Sequence, residues 1–539
     1  MKSCLALLHG LAILVLFLAQ AGCDGGGGGD RDDGQEIDLV EEDQGEHEGD
    51  IPGDDARPDA PDVPEDAPEE EEDAPPPETV YFYVDPDFEG SVKDGSASNP
   101  WNGLGNSEWE TVDAALAANE VVVYFSAREA GADADEVSDR EIGIYRTDAS
   151  SHRVTLDGMS RYNTDDSAPS WADYSGTSRH AVTADYPVNT SEDPVKRSYV
   201  TLRGFRVVAG SGGVGGQIIY YWGGDHVVIE ANDLSHHPDV AHGAALQFGY
   251  AHTQDGGGNG GCVDLVIRSN VIHDTSGECI YLGGSEDTGL PAHTGILVEG
   301  NTIYNCGVYG GQGDCIDVKD GHTDVVIRGN VCSDGQPSEN VNGIPSHSAI
   351  VAEGNIIHDM PDNGLSMGTY WGIGFSGTRI AGNLIYGNGG DGIYLGTDDA
   401  ARPIDDTLIV NNTIAGNGEG GILVGSTGAA VGAVTLTNNI IASNGTGLLG
   451  WGTPDAVLSA NDVFGNGTNY SGPFTDQTGV SGNIAQDPLF ADDAGGDYHL
   501  EAGSPCIDSG AEADVGTDLE GTSRPQGSGW DMGAYEFTP

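Results

Sequence analysis

Residues 311–322, GQGDCIDVKDGH, place one lysine among three carboxylates. Lys319 has Asp314, Asp317 and Asp320 close by in the chain. Oxygen ligands at this density suit a hard divalent cation, and calcium is the cofactor they predict. The same carboxylates should hold Lys319 charged at neutral pH, which opposes its use as a base unless a cation takes up their charge. The default alternative is a surface salt-bridge cluster of little energetic weight on a solvated sheet.

A repeated sequence phrase predicts the strands that position these residues. It consists of alternating apolar residues that end in glycine, as in CIYLG, GLSMG, GIYLG and GILVG. Alternation with a period of two predicts short strands, and each repeat has room for about three of them.

A second phrase sets the period of the repeat. An apolar strand, a small residue and then an asparagine recur at intervals of 23 to 38 residues. The asparagines are Asn232, Asn270, Asn301, Asn330, Asn355, Asn383, Asn412, Asn438 and Asn461. This period indicates a solenoid in which each coil buries its apolar face on the next. Asparagine suits a sharp bend because it tolerates a left-handed backbone and its amide can bond to the asparagine stacked above it.

With these repeats, residues 81–483 resemble the right-handed parallel β-helix proteins of the pectate-lyase-like superfamily. The resemblance implies an all-β fold, a right-handed parallel β-helix solenoid. The phrase around Lys319 resembles the strand that carries the lysine base in some polysaccharide lyases of this fold. By that resemblance Lys319 would be the base, and His347 or Tyr281 the acid. Asp314, Asp317 and Asp320 would be candidate ligands of the calcium ion that neutralises a uronate carboxylate.

Alignment of the coils predicts two outward columns on the sheet that contains Lys319. The second column is glycine nearly throughout, and Lys319 and His347 interrupt it on adjacent coils. A trough floored by glycine has room for a bound chain. Four aromatic residues are interpreted as sugar-stacking faces or, alternatively, as simple surface aromatics. They are Tyr220, Trp222, Tyr281 and Tyr394.

A histidine-rich cluster lies in two loops that flank one coil. Its members are His236, His237, Asp239, His242 and His252. These residue types could bind a transition metal, but their spacing matches no regular ligand motif.

Charges of alternating sign stand two residues before the repeat position in six coils. They are Arg203, Glu230, Arg268, Glu299, Arg328 and Glu353. Opposite charges on neighbouring strands stabilise a sheet by a few tenths of a kcal/mol per pair. We interpret them as a ladder that fixes the register, with substrate binding by the arginines as the alternative.

Six cysteines follow Cys23 in the chain. Alignment of GECIYLG with GDCIDVK stacks Cys279 on Cys315 at one rung spacing, within disulfide reach. The alignment therefore predicts either a disulfide between them or a pair of buried thiols.

The N-terminal segment predicts export. Lys2 precedes an apolar run too short to span a bilayer, and Ala21, Gly22 and Cys23 follow. This pattern resembles a bacterial lipoprotein signal, which implies a signal peptide over residues 1–22 and a lipid on Cys23. Ordinary secretory cleavage is the alternative. Residues 23–79 are rich in Gly, Asp, Glu and Pro and predict a disordered acidic tether. We expect an exported lipoprotein, membrane-anchored at the cell surface or in the periplasm.

Both ends of the solenoid, predicted over residues 80–485, need cover because an open end exposes a sheet edge. A capping-box pattern at residues 107–110 predicts an N-terminal capping helix with Trp109, Val112 and Leu116 on one face, after a strand at residues 80–84. Residues 486–539 resemble the tail module of exported bacterial β-helix proteins and are predicted to form a small C-terminal cap.

The formal net charge of −67 limits the partners. This charge argues against binding to nucleic acid. It also repels an acidic polysaccharide, so the substrate is either an acidic polymer that divalent cations bridge to the protein or a neutral polymer. Two functional classes remain. The first is a tethered polysaccharide-active enzyme, a calcium-assisted lyase on a uronate polymer. The second is a non-catalytic carbohydrate-binding or adhesive solenoid. A hydrolase with paired carboxylates is a further option, but no pair stands out among so many acids. We expect a monomer.

Overall fold

The chain winds through three stacked parallel sheets, which form a β-helix in the region that the structure describes. The structure is a computed structural model. It describes residues 77–84, 89–125, 141–145, 147, 150–158, 181–184, 197–209, 217–221, 223–236, 243–249, 261–283, 292–308, 312–336, 341–369, 374–397, 403–425, 431–452 and 455–539. Residues 1–76, which include the predicted signal peptide, Cys23 and most of the predicted tether, lie outside these ranges.

Strands are numbered in chain order, and from β6 onward each coil contributes successively to sheets 1, 2 and 3. Sheet 1 contains β1 (Thr79–Val84), β2 (Glu120–Phe125), β4 (Val154–Asp157), β6 (Val200–Arg203), β9 (Val228–Glu230), β12 (Val263–Arg268), β15 (Thr294–Glu299), β18 (Thr323–Arg328), β21 (Ile350–Glu353), β25 (Arg379–Ala381), β29 (Thr407–Val410), β32 (Ala433–Thr437) and β35 (Asp455–Ser459). Sheet 2 contains β7 (Arg206–Ala209), β10 (Asp233–His236), β13 (Val271–His273), β16 (Thr302–Tyr304), β19 (Val331–Ser333), β22 (Ile356–His358), β26 (Leu384–Tyr386), β30 (Thr413–Ala415), β33 (Ile440–Ala442) and β36 (Asp462–Phe464).

Sheet 3 contains β3 (Glu141–Gly143), β5 (Ala181–Ala184), β8 (Ile219–Tyr221), β11 (Leu246–Phe248), β14 (Ile280–Leu282), β17 (Ile316–Val318), β20 (Ile344–Ser346), β23 (Leu365–Thr369), β27 (Ile393–Thr397), β31 (Gly420–Val424), β34 (Thr446–Gly450) and β37 (Thr468–Ser471). Two short pairs complete the described strands: β24 (Phe375–Ser376) with β28 (Ile404–Asp405), and β38 (Phe490–Asp492) with β39 (Asp497–Leu500). Helix α1 spans Asn106–Leu116, and a 3₁₀ turn spans Asp493–Gly495. No helix in the described part of the chain is long and apolar enough to cross a membrane.

The core is a set of apolar columns that run along the axis. Ile280 on β14 is paired with Ile316 on β17, and Ile344 on β20 is paired with Leu365 on β23. All four are completely buried. Because successive side chains of a strand point to opposite faces, the residue between two buried positions faces outward, as the alternating sequence predicts.

A ladder of buried asparagines joins the coils at the bend between sheets 1 and 2. The Asn301 amide nitrogens, from the backbone and the side chain, both donate to Asn330 Oδ1, at 3.0 and 2.9 Å. Asn330 Nδ2 donates in turn to Asn355 Oδ1 at 3.0 Å and to the Val298 carbonyl at 2.9 Å. The same pattern repeats through Asn232, Asn270, Asn301, Asn330, Asn355, Asn383, Asn412, Asn439, Asn461 and Asn483.

Two details of the predicted ladder are wrong. Its member in the coil of β32 and β33 is Asn439, and Asn438 beside it bonds instead to Asn411 and to the Ala511 carbonyl. The left-handed residue is the one before each ladder asparagine, such as Gly300 with φ 62° or Gly329 with φ 61°. The small residue of the phrase therefore makes the bend, and the asparagine satisfies the buried backbone groups that the bend leaves without partners.

The alternating charges on sheet 1 are confirmed as a ladder. Arg268 Nη2 lies 2.6 Å from Glu230 Oε2, and the strand register pairs Arg268 with Glu299 on its other side. Arg328 Nη2 lies 2.7 Å from Glu299 Oε2. Both arginines are about half exposed, so these pairs fix register more than they stabilise the fold.

The disulfide prediction is wrong in its partner. Cys279 is bonded to Cys306, with a Cα–Cα distance of 5.7 Å, and Cys315 is a buried thiol. Cys279 and Cys315 are stacked in sheet 3 as the alignment predicts, because the Ile280 amide donates to the Cys315 carbonyl. The Cys279 sulfur is bonded to Cys306, which follows β16 in the bend that leads to sheet 3. The Cys306 sulfur therefore belongs to the neighbouring coil but lies outside the column that contains Cys279 and Cys315.

The two ends differ from each other. Helix α1 buries Trp109, Val112 and Leu116, the three residues predicted for its inner face. The C-terminal segment packs along the flank of sheet 2, where Tyr498 meets Tyr386 with ring centroids 5.0 Å apart and the Ala534 amide donates to Thr413 Oγ1 at 2.9 Å. The sequence predicted that this module covers the open end of the solenoid. It lies instead against the side of the later coils.

We expect Asn330→Ala to destabilise the solenoid by about 2–4 kcal/mol, because it leaves buried amide and carbonyl groups of three coils without partners. The measurement is the midpoint of guanidinium unfolding. Thr302→Ala, at an exposed position of β16, is the control and should change stability by less than about 0.5 kcal/mol. Equal midpoints for the two variants would show that the ladder does not hold the coils together.

Candidate functional site

One outward column on sheet 3 contains the candidate catalytic residues. The Lys319 amide donates to the Leu282 carbonyl at 3.0 Å, and the His347 amide donates to the Val318 carbonyl at 2.8 Å. These bonds place Gly283, Lys319 and His347 on three successive rungs of one column. Neighbouring strands lie about 4.8 Å apart, so Lys319 and His347 stand next to each other as the sequence predicts.

Lys319 is a partly buried cation held by an ion pair, with its side chain 24% exposed. Its Nζ lies 2.6 Å from Asp317 Oδ2, and the Asp317 side chain is only 1% exposed. The same Nζ stands 5.3 Å from the centre of the Tyr281 ring, within the range of a cation–π interaction. Burial alone would lower the pKa of Lys319, but Asp317, Tyr281 and Asp314 together raise it above the usual 10.5. Lys319 is therefore protonated at neutral pH.

His347 is held in the opposite protonation state. Burial and the charge of Lys319 lower the pKa of His347 below its usual 6.5. Its Nδ1 lies 2.8 Å from the Gly368 carbonyl, which can only accept, so Nδ1 carries the proton and Nε2 has the basic lone pair. The imidazole is neutral at pH 7, and this tautomer is suited to accept a proton.

The backbone beneath this pair is fixed by a buried polar network that the sequence prediction missed. Ser348 Oγ donates to the Lys319 carbonyl at 2.7 Å and accepts from the His322 amide at 3.0 Å. His322 Nδ1 accepts from the His293 amide at 2.9 Å, and His322 Nε2 donates to the Leu282 carbonyl at 3.1 Å. Burial lowers the pKa of His322 to about 3, so this histidine is neutral and structural. In the sequence, this network is indicated only by a histidine or a serine at equivalent positions of successive coils.

The predicted calcium ligands do not converge. Asp314 precedes β17 and Asp320 follows it, and a strand rises about 3.3 Å per residue, so they lie at opposite ends of the strand. Asp314 Oδ1 accepts from the Asn342 amide at 2.7 Å, and burial together with Asp317 raises the pKa of Asp314 well above its usual value. In the described residues no group of three or more His, Cys, Asp or Glu side chains could hold a metal ion. These aspartates do not fit calcium.

Two tyrosines lie flat over the glycines of the trough. A Cβ built on Gly283 would come within 2.5 Å of Tyr281 Cε1, and one built on Gly396 would come within 2.0 Å of Tyr394 Oη. The missing side chains therefore make room for the rings to lie along the sheet. Rings in this orientation can present a face to a sugar.

The remaining predicted residues have different positions. Tyr220 is half-buried on β8 and lies in the outward column of Tyr281, two rungs away through Gln247. Trp222 lies outside the described residues. His236 is buried, and its Nδ1 accepts from the Ser276 amide at 2.9 Å, which is a structural role. The other four members of the histidine-rich cluster also lie outside the described residues: His237, Asp239, His242 and His252.

Comparison with known proteins supports the fold. Residues 292–464 match the family described as the right-handed β-helix region, and this segment contains Lys319 and His347. No curated protein matches the sequence significantly.

Several solved structures are similar in fold at low identity. The pectate lyase Pel9A is 14% identical with a TM-score of 0.40, and the match covers 85% of this chain and 96% of that chain. The A-module of the mannuronan C-5 epimerase AlgE4 from Azotobacter vinelandii is 14% identical with a TM-score of 0.35, covering 71% and 90%. The Dettilon tailspike protein is 12% identical with a TM-score of 0.36, covering 71% and 62%. Similarity at this level carries no argument about activity.

We expect Asp317→Asn to lower the pKa of Lys319, because it removes a major interaction that opposes the effect of burial. The measurement is an NMR titration of ¹³C-methylated lysines. Lys93 is exposed and provides an internal reference in the same spectrum. A Lys319 pKa that is unchanged in the variant would show that the ion pair does not control its protonation.

Proposed function

We propose that the protein cleaves a uronate-containing polysaccharide by β-elimination on the outward face of sheet 3. The observation that carries the proposal is the adjacent pair Lys319 and His347, whose pKa values their surroundings push apart. A separation of this kind assigns the neutral imidazole as the base and the ammonium as the cation that holds a proton. The roles are therefore exchanged relative to those that the family resemblance implies.

The elimination needs three events that this pair can supply. His347 Nε2 takes the proton from the carbon next to the uronate carboxylate. The electron pair forms a carbon–carbon double bond, and the glycosidic bond at the neighbouring carbon breaks. The leaving oxygen takes a proton from Lys319 Nζ. Afterwards the His347 imidazolium releases its proton to solvent and the Lys319 amine takes one from solvent, which restores both starting states. Since an ammonium has three N–H donors, its ion pair with Asp317 leaves capacity to bind the substrate.

Lys319 also supplies the positive charge that the calcium prediction assigned to a metal. Removal of a proton next to a carboxylate places negative charge on the carboxylate oxygens, and a fixed cation at this point stabilises it. Tyr281 on β14 lies one rung from Asp317 on β17 and two rungs, roughly 10 Å, from β20, which His347 follows. We assign Tyr281 to sugar binding and Lys319 to proton donation.

The second candidate is a non-catalytic carbohydrate-binding or adhesive solenoid. The flat rings of Tyr281 and Tyr394 favour it, because stacking on a sugar needs no acid or base. In both cases the partner is a polysaccharide. Anchoring through a lipid on Cys23 and export to the cell surface or periplasm remain part of the proposal.

The first test incubates the purified protein with a panel of uronate polysaccharides and follows the ultraviolet absorbance of unsaturated uronates, with and without a chelator. We expect turnover on one polymer that the chelator leaves unchanged. His347→Ala and Lys319→Met should each reduce kcat about 100-fold or more. His358→Ala on sheet 2 and Lys93→Ala are the matched controls and should retain full rates.

The pH dependence of turnover separates the two assignments of the base. With His347 as base, the rate should fall only as the pH drops through a pKa below 6.5, and it should be constant from pH 7 to pH 9. With Lys319 as base, the rate should still be rising above pH 10, because the pKa of Lys319 is raised. Full activity of His347→Ala, or absence of turnover on every polymer, would contradict the lyase. In the second case, binding that depends on Tyr281 and Tyr394 would support the adhesive candidate.

A further inference from the structure

Sheet 2 presents an outward column of rings that the proposed function does not use. Its members are His273, Tyr304, Ser333, His358 and Tyr386. The strand register places them on five successive rungs. The central residue of each strand is buried, so these side chains point away from the core. The column lies on a different sheet from the candidate catalytic pair.

The four rings of this column form two stacked pairs. His273 stacks on Tyr304, with ring centroids 5.0 Å apart and 8° between the ring planes. His358 stacks on Tyr386, with centroids 4.8 Å apart and again 8° between the planes. In each pair a His-Asp dipeptide on one strand is followed by a tyrosine on the next strand, so the two pairs are equivalent in position. The rung of Ser333 separates them.

Ser333 leaves a slot between the two pairs, because its side chain is too short to span the distance between the rings. Tyr304 and His358 are two rungs apart, roughly 10 Å, and the second face of each ring is turned toward the rung of Ser333. A flat aromatic ring in van der Waals contact on both faces would need only about 7–8 Å between the walls. A pyranose ring is puckered and has hydrogens above and below its mean plane, so it is thicker. The width of the slot therefore favours a sugar ring.

Both walls of the slot are supported from behind. His273 Nδ1 lies 2.7 Å from Asp274 Oδ2, and His273 Nε2 lies 3.0 Å from Asp233 Oδ1. On the other side, the Tyr386 ring contacts the ring of Tyr498 from the C-terminal segment, with centroids 5.0 Å apart. The rings are thus held in place before any ligand binds, which reduces the entropic cost of binding.

The edge of the slot is acidic. Asp334 and Asp359 directly follow Ser333 and His358, and each has a left-handed backbone with φ 53°. Ser333 Oγ donates to Asp334 Oδ2 at 3.0 Å, and His358 Nδ1 lies 2.7 Å from Asp359 Oδ2. The Asp359 side chain is 58% exposed. Carboxylates accept hydrogen bonds from sugar hydroxyl groups, whereas they repel the carboxylate of a uronate. The charge of the edge therefore selects a neutral sugar.

We propose that the slot formed by Tyr304, Ser333 and His358 binds a neutral pyranose unit of a polysaccharide, with the sugar ring between the two aromatic rings. Each aromatic face contacts C–H groups on one face of the sugar. Asp334 and Asp359 accept hydrogen bonds from its hydroxyl groups. This site is separate from the outward face of sheet 3 and takes no part in proton transfer. It would hold the protein on a neutral polymer whether or not sheet 3 is catalytic.

The test is an NMR titration of the purified protein that follows the His358 ring resonances, assigned from their loss in His358→Gln. The probes are hexasaccharides of glucose, mannose, xylose and galactose, and a hexasaccharide of galacturonate is the anionic comparison. We expect the His358 resonances to shift with at least one neutral probe and to stay unchanged with galacturonate. No shift with any probe, or an equal or larger shift with galacturonate, would overturn the proposal.

Two variants test the slot itself. Ser333→Leu fills the space between the rings and should abolish the His358 shift. Tyr304→Ala removes one wall and should weaken binding about 10-fold or more. Tyr81→Ala, at an exposed tyrosine of sheet 1, is the matched control and should bind as the wild-type protein does. Thermal midpoints show whether each variant is folded. If Ser333→Leu does not fold, Tyr304→Ala decides, and undiminished binding by the folded variants would overturn the proposal.

The slot and the proposed function can fail separately. His358→Ala should lose binding of the neutral probe and keep its rate on a uronate polymer, because the slot contains no reacting group. A His358 shift with a neutral hexasaccharide but no turnover on any uronate polymer would reject the lyase alone. Turnover without the shift would reject the slot alone.

Discussion

The hydrogen bonds between stacked asparagines are the constraint on which the rest of the described structure depends. Each ladder asparagine inside the series receives two bonds from the coil before it and gives two to the coil after it, as Asn330 does between Asn301 and Asn355. These groups are buried, so a slip of one residue would leave several of them without partners. The ladder therefore fixes the register of sheets 1 and 2, and through the short turns it fixes sheet 3 as well. Only with that register do Lys319 and His347 occupy neighbouring rungs.

Burial then gives the two side chains different properties. A lysine and a histidine side by side in water would both titrate near their ordinary values. Here Asp317 compensates the charge of Lys319 at 2.6 Å, and the Gly368 carbonyl fixes the His347 tautomer. The lysine charge also disfavours a second positive charge on His347. One fixed cation next to one neutral base is an arrangement that can move a proton at neutral pH without a resident metal.

The sequence predicted the fold well because its signals are local and repeated. Alternation within each phrase gives the strands, and the recurring asparagine gives the coil, so residues distant in the chain could be aligned by counting. The adjacency of Lys319 and His347 and the alternating charges from Arg203 to Glu353 were found in this way. The slip from Asn439 to Asn438 shows the limit of counting, since two adjacent asparagines satisfy the same pattern and only one side chain points inward.

Side-chain reach and burial could not be predicted in the same way. The stacking of Cys279 on Cys315 was correct, but the choice of Cys306 as the bonded partner depends on where a bend returns between sheets 2 and 3. Similarly, Asp314, Asp317 and Asp320 are close in sequence, yet an extended strand separates them and each has its own surroundings. Proximity in sequence suggested a calcium site, whereas the strand geometry gives an ion pair at Asp317 and a separate buried carboxyl group at Asp314 whose pKa is raised.

The most direct test of this account is an NMR titration of the His347 imidazole in the wild-type protein and in Lys319→Met, with the resonance assigned from its loss in His347→Gln. The account predicts a pKa below 6.5 in the wild-type protein and a higher value in Lys319→Met, because the variant removes the positive charge that lowers it and leaves Asp317, which raises it. Lys93→Met should leave the pKa unchanged. A wild-type pKa at or above 6.5, or the same value with and without Lys319, would contradict the assignment of His347 as a neutral base set by its neighbour.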